Sequence, residues 1–351
     1  MSNPPKQTVV TPGFSTACFS LLALLMLLMS SAACSTHTTT SAQGQLFYTE
    51  VLGTDQPLVA GSEYLLWMPA EVERAQCILV INQRGAGKRL FFDDHRWREL
   101  AARIQAPMLY CKFEARSVRD NGYGHSILKA CEQFASQLGH PELKDAPFIL
   151  WGHSMGGRVA QDFVRFKPER VAAYIIAMRA HPSPPALMVE EPAAMQVPAL
   201  YLMGSQDGKP EDIFAHFVRA REHASARAWV WLPGQKHWPE AMGHGYDQTT
   251  DSDWNNWTAN DLVLPWIEAV LQNRLPKDST SPSGPVHLQP LRLTEGWFVD
   301  MESGEVFRDN PDLDKNPSYS WLPTKQTAEQ WRQITQFLES PHWPEGQQVQ
   351  P

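Results

Sequence analysis

Between residues 45 and 274 the chain alternates short apolar runs with longer segments whose apolar residues recur every three or four positions. The run 78–82, Ile-Leu-Val-Ile-Asn, shows no polar alternation, as expected of a strand covered on both faces. Further strand-like runs lie at 107–113, 147–151, 171–178, 198–203 and 228–232. Helical periodicity separates them at 94–104, 126–138, 155–166, 212–224 and 259–272, the first with Trp97, Leu100, Ala101 and Ile104 on one stripe. Pro168 stops the helix over 155–166. Parallel strands need a crossover between them, and a helix supplies it. This order therefore predicts an α/β fold with a mostly parallel central sheet and helices on both faces. Segments 46–51 and 64–68 read as an antiparallel pair at its start. No internal repeat is visible.

The flanks have a different composition. After Lys6 no charged residue occurs until Glu50, and 19–29 is an apolar core of signal-peptide length. Small residues follow, and residues 1–33 read as a secretory signal. Ser31-Ala32-Ala33-Cys34 resembles the bacterial lipobox, with Ser31 where that motif usually has Leu. The resemblance implies lipidation of Cys34 and membrane anchoring, with residues 34–44 as a Ser/Thr-rich tether. Ordinary cleavage after Ala33 and an uncleaved anchor are the alternatives. Either cleavage exports the protein, to a bacterial cell envelope or beyond it. At the other end, 275–286 reads as a Pro/Ser/Gly linker. Residues 287–351 are few for an independent core, so they are expected to pack on the main domain as an accessory without chemistry of their own. A hairpin around 296–307 and a short helix at 327–338 are expected there, near Trp321 and Trp331.

Lys and Arg total 30 against 38 Asp and Glu, a net charge of −8 without basic runs, which excludes nucleic acid as an expected partner. Five cysteines are too few for a disulfide scaffold. No Cys-x-x-Cys pair or His-Glu-x-x-His stretch occurs, so no metal or organic cofactor is expected. Cys77 and Cys111 fall in core strands, where buried thiols are usual, and at most one disulfide can join them and Cys131.

One motif carries chemistry. Gly152-His153-Ser154-Met155-Gly156-Gly157 directly follows the strand at 147–151 and opens the helix at 155–166. A sharp strand-to-helix turn forces backbone contacts that only glycine tolerates. It holds the Ser154 hydroxyl clear of the sheet edge at the positive end of the helix, which makes Ser154 the candidate nucleophile.

With this elbow, residues 62–273 resemble the α/β-hydrolase superfamily, and within it the bacterial esterases of the dienelactone-hydrolase and polyhydroxybutyrate-depolymerase-like groups. The resemblance implies an α/β-hydrolase fold and a serine hydrolase acting on small or polymeric carboxylic esters. The segment 179–197 is Pro-rich and too short for a folded lid domain.

The superfamily order is Ser, then acid, then His. Asp207, in Gly204-Ser205-Gln206-Asp207-Gly208, stands where the superfamily keeps its acid. The alternative is that Asp207 only makes an Asx turn, with Glu211 and Asp212 as fallback acids. His237, just past the last strand, stands where the base belongs, and His244 is its competitor. The oxyanion donors implied are the backbone N–H of Met155 and that of Ala86, in the loop Gln83-Arg84-Gly85-Ala86-Gly87. Arg84 replaces a histidine common in the superfamily. It either binds a substrate carboxylate or pairs with Asp93 or Asp94. His153 leaves the elbow in a different direction from Ser154, toward packing or substrate contact. Trp238, Trp254 and Trp257 either line a pocket or pack. A peptidase or thioesterase would use the same machinery. A non-catalytic envelope binding protein on the same fold is the other class, and it predicts a broken triad.

Overall fold

The computed structural model describes residues 42–51, 62–82, 88–111, 123–178, 192–207, 211–237, 258–276, 284, 286–308 and 310–335. Their main sheet has eight strands: β1 (Gly44–Val51), β2 (Ser62–Pro69), β3 (Ile78–Asn82), β4 (Met108–Cys111), β5 (Phe148–His153), β6 (Val171–Ala177), β7 (Ala199–Gly204) and β8 (Arg227–Leu232). In space the order is β1-β2-β4-β3-β5-β6-β7-β8. The pairings of β2 with β1 and β4 are antiparallel, and all the others are parallel. β3, β5, β6 and β7 are buried along their whole length, which explains their unbroken apolar runs. β1, at the outer edge, alternates instead. Leu46 and Tyr48 are exposed, while Thr49 donates to Gln133 Oε1 of the helix Tyr123–Leu138 at 2.7 Å.

Strand order decides where a site can sit. From β3 the chain moves outward to β4, then returns to place β5 on the other side of β3. The strand order therefore reverses between β3 and β5, and in an open parallel sheet ligands usually bind beyond the carboxyl ends of the strands at such a point. The helix Met155–Phe166 starts there. It turns Val159, Ala160, Phe163 and Val164 onto the sheet and breaks before Pro168.

The expected helix over 94–104 is preceded by a second one. Lys88–Asp93 and His95–Arg103 are separate helices, because buried Asp94 caps the latter by accepting from the amides of Arg96 (2.8 Å) and Trp97 (3.4 Å). One and a half turns of helix carry too little periodicity to be read from sequence. Cys77, Cys111 and Cys131 are buried. Burial pushes the Cys131 thiol up to about 12, out of reach of thiolate chemistry near neutral pH.

The C-terminal residues form a second sheet, ordered β10-β9-β11, from β9 (Trp297–Asp300), β10 (Val306–Arg308) and β11 (Tyr319–Leu322). β9 and β10 occupy the expected hairpin, whereas β11 carried no sequence signal. Alternate residues serve two cores: Val299 and Leu322 join the main one, while Phe298 and Trp321 meet Ala226, Leu293 and Leu313 in a small one. The helix Lys325–Ile334 follows, opened by a Thr324–Thr327 capping box.

This unit is fastened to β8. Trp229 N donates to Ser320 Oγ at 2.9 Å, and Trp229 O accepts from Trp331 Nε1 at 2.7 Å and Ser320 Oγ at 3.2 Å. Arg221 is wholly buried. Its guanidinium donates to the carbonyls of Tyr319 (3.0 Å), Ser225 (2.8 Å) and Leu313 (2.7 Å) and lies over the Phe298 ring. Burial lowers its pKa to about 10, which leaves it charged at neutral pH.

Candidate active site

Ser154 sits between β5 and the helix Met155–Phe166 with φ 53° and ψ −121°, a strained conformation for a residue with a side chain. Two hydrogen bonds hold it there: Ser154 N donates to Ala177 O, and Gly157 N to Ser154 O, each at 2.9 Å. The flanking glycines follow from the crossing of this turn over β3. A Cβ on Gly156 would lie 1.7 Å from Asn82 O, and one on Gly152 would lie 2.2 Å from Gly156 O. The Met155 amide is the first N–H of the helix and has no intrahelical acceptor.

Asp207 and His237 come from the loops after β7 and β8. Gly204 pairs with Leu232 in register, so these loops leave the sheet side by side. They are tied together. Ser205 N donates to Leu232 O (3.0 Å), Gln206 N to Gln235 O (2.9 Å) and Gly234 N to Ser205 Oγ (2.8 Å). The loops run so close that a Cβ on Gly204 would lie 2.3 Å from Gln235 O. Ser205 and Gln235 were not singled out from sequence; short polar turns carry no mark of which neighbour they will bind.

The three predicted side chains form one chain of hydrogen bonds. His237 Nδ1 lies 2.6 Å from Asp207 Oδ1, and His237 Nε2 lies 2.9 Å from Ser154 Oγ. An ionised carboxylate only accepts, so Nδ1 carries the proton and the Nε2 lone pair faces the serine hydroxyl. The Asp207 side chain is 5% exposed and that of His237 36%, so the acid is sheltered while the base opens toward solvent. Such a chain is equipped to deprotonate a hydroxyl and return the proton to a leaving group.

The other expected residues divide. His153 does not present its ring as a substrate contact: it is 1% exposed, and Nε2 is engaged by His237 O at 2.8 Å. Burial drives its imidazole down to about 4, the bond to the His237 carbonyl opposing only part of that shift. Asp93 pairs with Arg98 at 3.3 Å and Asp94 is the helix cap described above. Glu211 opens the helix Glu211–Glu222. Cys34, Arg84, Ala86, Trp238, His244, Trp254 and Trp257 lie outside the described residues. Of 179–197 the description covers the end, with the short helix Pro192–Met195.

The strand order, the reversal beside β3 and the strand–elbow–helix unit define the α/β-hydrolase fold. No family model and no curated protein matches the chain in sequence. Among solved structures it is similar to S-formylglutathione hydrolase from Staphylococcus aureus, at 11% identity over 65% of this chain and 99% of that one, with a TM-score of 0.43. It is also similar to an esterase from Pyrobaculum calidifontis, at 13% identity over 73% and 90%, with a TM-score of 0.43. A cold-adapted esterase from an Arctic intertidal metagenomic library aligns at 15% identity over 56% and 86%, with a TM-score of 0.39. Likenesses of this strength carry no weight for activity, and the fold stands on the strand order and the elbow.

Proposed function

We propose that the protein is a serine hydrolase that cleaves carboxylic esters through an acyl-enzyme. The observation that supports this reading is the hydrogen-bonded chain Ser154–His237–Asp207, joined beyond the carboxyl ends of β5, β7 and β8. Ser154 Oγ adds to the ester carbonyl as His237 Nε2 takes its proton. The tetrahedral adduct collapses, the C–O bond to the alcohol breaks, and His237 gives the proton to the leaving oxygen. Water then adds to the acyl carbonyl with His237 again as base, and the acid leaves as the serine is reprotonated. Asp207 keeps the proton on Nδ1 and offsets the imidazolium charge. The Met155 N–H, with that of Ala86, is assigned to the oxyanion. The proposal includes export by residues 1–33 and anchoring through Cys34.

Ser154→Ala should abolish hydrolysis of short p-nitrophenyl esters, by about 10⁶-fold in kcat, and remove labelling by a fluorophosphonate probe. Undiminished turnover in this variant would sink the mechanism. For the anchor, metabolic palmitate labelling should disappear in Cys34→Ser; label that persists in the variant rules out that site.

A further inference from the structure

We propose that His153 is the positioning residue of the reacting histidine: it holds the His237 main chain while its neighbour Ser154 engages the His237 ring. The proposal rests on the ester-hydrolase reading and deepens it. Two consecutive residues at the end of β5 grip one histidine at opposite ends: Ser154 Oγ lies 2.9 Å from Nε2, and His153 Nε2 lies 2.8 Å from the carbonyl oxygen of residue 237. A carbonyl only accepts, so His153 must carry its proton on Nε2.

The position of this contact gives it leverage. The loop 233–237 is tied to the Asp207 loop through Gly234 and Gln235, both before His237. The bond from His153 falls on the histidine itself and ties it to β5, the strand that carries the nucleophile. It therefore sets the serine-to-histidine separation, which the ties between the Asp207 and His237 loops do not control. Displacing a reacting pair by an ångström is enough to slow chemistry about a hundredfold.

The contact also has to be uncharged. The rings of His153 and His237 are centred 5.2 Å apart, close enough for a cation at 153 to oppose the imidazolium that forms at 237 during turnover. Among the described residues, the groups that face His153 include His237, Asp207 and the stacked ring of Trp151, centred 6.4 Å away. Burial lowers the His153 pKa to about 4, so the ring is neutral near neutral pH. Sequence order offers no hint of this role, because the partner is a backbone atom 84 residues away.

The test compares the full chain with His153→Leu, which fills the space without a donor, and His153→Gln, whose amide nitrogen replaces Nε2–H. With p-nitrophenyl acetate, H153L should lose about 10- to 100-fold in kcat with KM little changed, and label more slowly at Ser154. H153Q should recover most of that loss. H153L turning over at the wild-type rate, or H153Q as slow as H153L with both melting near wild type, would overturn the role. A measurement on the unsubstituted protein guards against misfolded variants: ¹⁵N NMR should show residue 153 neutral and protonated on Nε2 from pH 5 to 8. A ring that titrates within that range, or carries its proton on Nδ1, overturns the proposal as well. Wild type that takes no fluorophosphonate at Ser154 would instead refute the hydrolase reading, an outcome distinct from slowed variants of a labelled protein.

Discussion

The elbow at 152–157 and the C-terminal unit at 293–335 are both fixed by close contacts, but of opposite kinds. At the elbow the constraint is steric: Gly152 and Gly156 are required because backbone occupies the space where a Cβ would be, and Ser154 is held at positive φ. At the C-terminal unit the constraint is polar and distant. Trp229 bonds Ser320 and Trp331, and Arg221 collects three carbonyls. The first arrangement stores strain where chemistry is proposed, and the second covers the outer edge of β8, which would otherwise present unpaired backbone. Function and stability should therefore separate under mutation.

The largest separation is expected from Asp207→Asn. Losing the carboxylate that fixes the His237 tautomer should lower kcat about 10³- to 10⁴-fold while the melting temperature moves little. Kinetics and calorimetry on the same sample check this; a matching loss of stability would mean that the two regions are not independent. Arg221→Met should do the reverse. Three carbonyls lose a charged donor, so stability should fall by about 3 kcal/mol, read by urea unfolding, with kcat per folded molecule unchanged.

Acid acts on the elbow. His153 has its pKa lowered from 6.5 to about 4, so between those values the unfolded chain binds a proton that the folded one refuses. Stability from this group is complete above pH 6.5 and is lost as pH falls toward 4, by up to about 3 kcal/mol. His153→Gln should flatten that part of the stability–pH curve. An unchanged slope would place the acid sensitivity elsewhere. The smallest effect is expected from Trp331→Phe. It removes one donor to Trp229 O while Ser320 Oγ remains, so a loss of about 1 kcal/mol should appear in the same urea titration.

Legibility followed sequence locality. The elbow was readable because strand, glycines, serine and helix are contiguous and their spacing is set by one turn. The parallel strands were readable because burial on both faces writes an unbroken apolar run. Asp207 and His237 were placed by superfamily order, since nothing in either loop states that they meet. β11 and the helix Lys88–Asp93 are too short to show a period. The polar fastening of Arg221 lies beyond sequence reading for another reason: a buried arginine and an exposed one look alike until the carbonyls of residues 313 and 319 are brought around it. The same holds for His153, whose partner is main chain.

The tie between the loops after β7 and β8 has a mechanical consequence. Gln235 touches the Gly204–Gln206 turn through both a hydrogen bond and van der Waals contact, so acid and base ride on a common platform. A displacement of either loop would therefore carry the carboxylate and the imidazole together, keeping their mutual geometry, while the His153 contact holds the platform against the strand that bears the nucleophile.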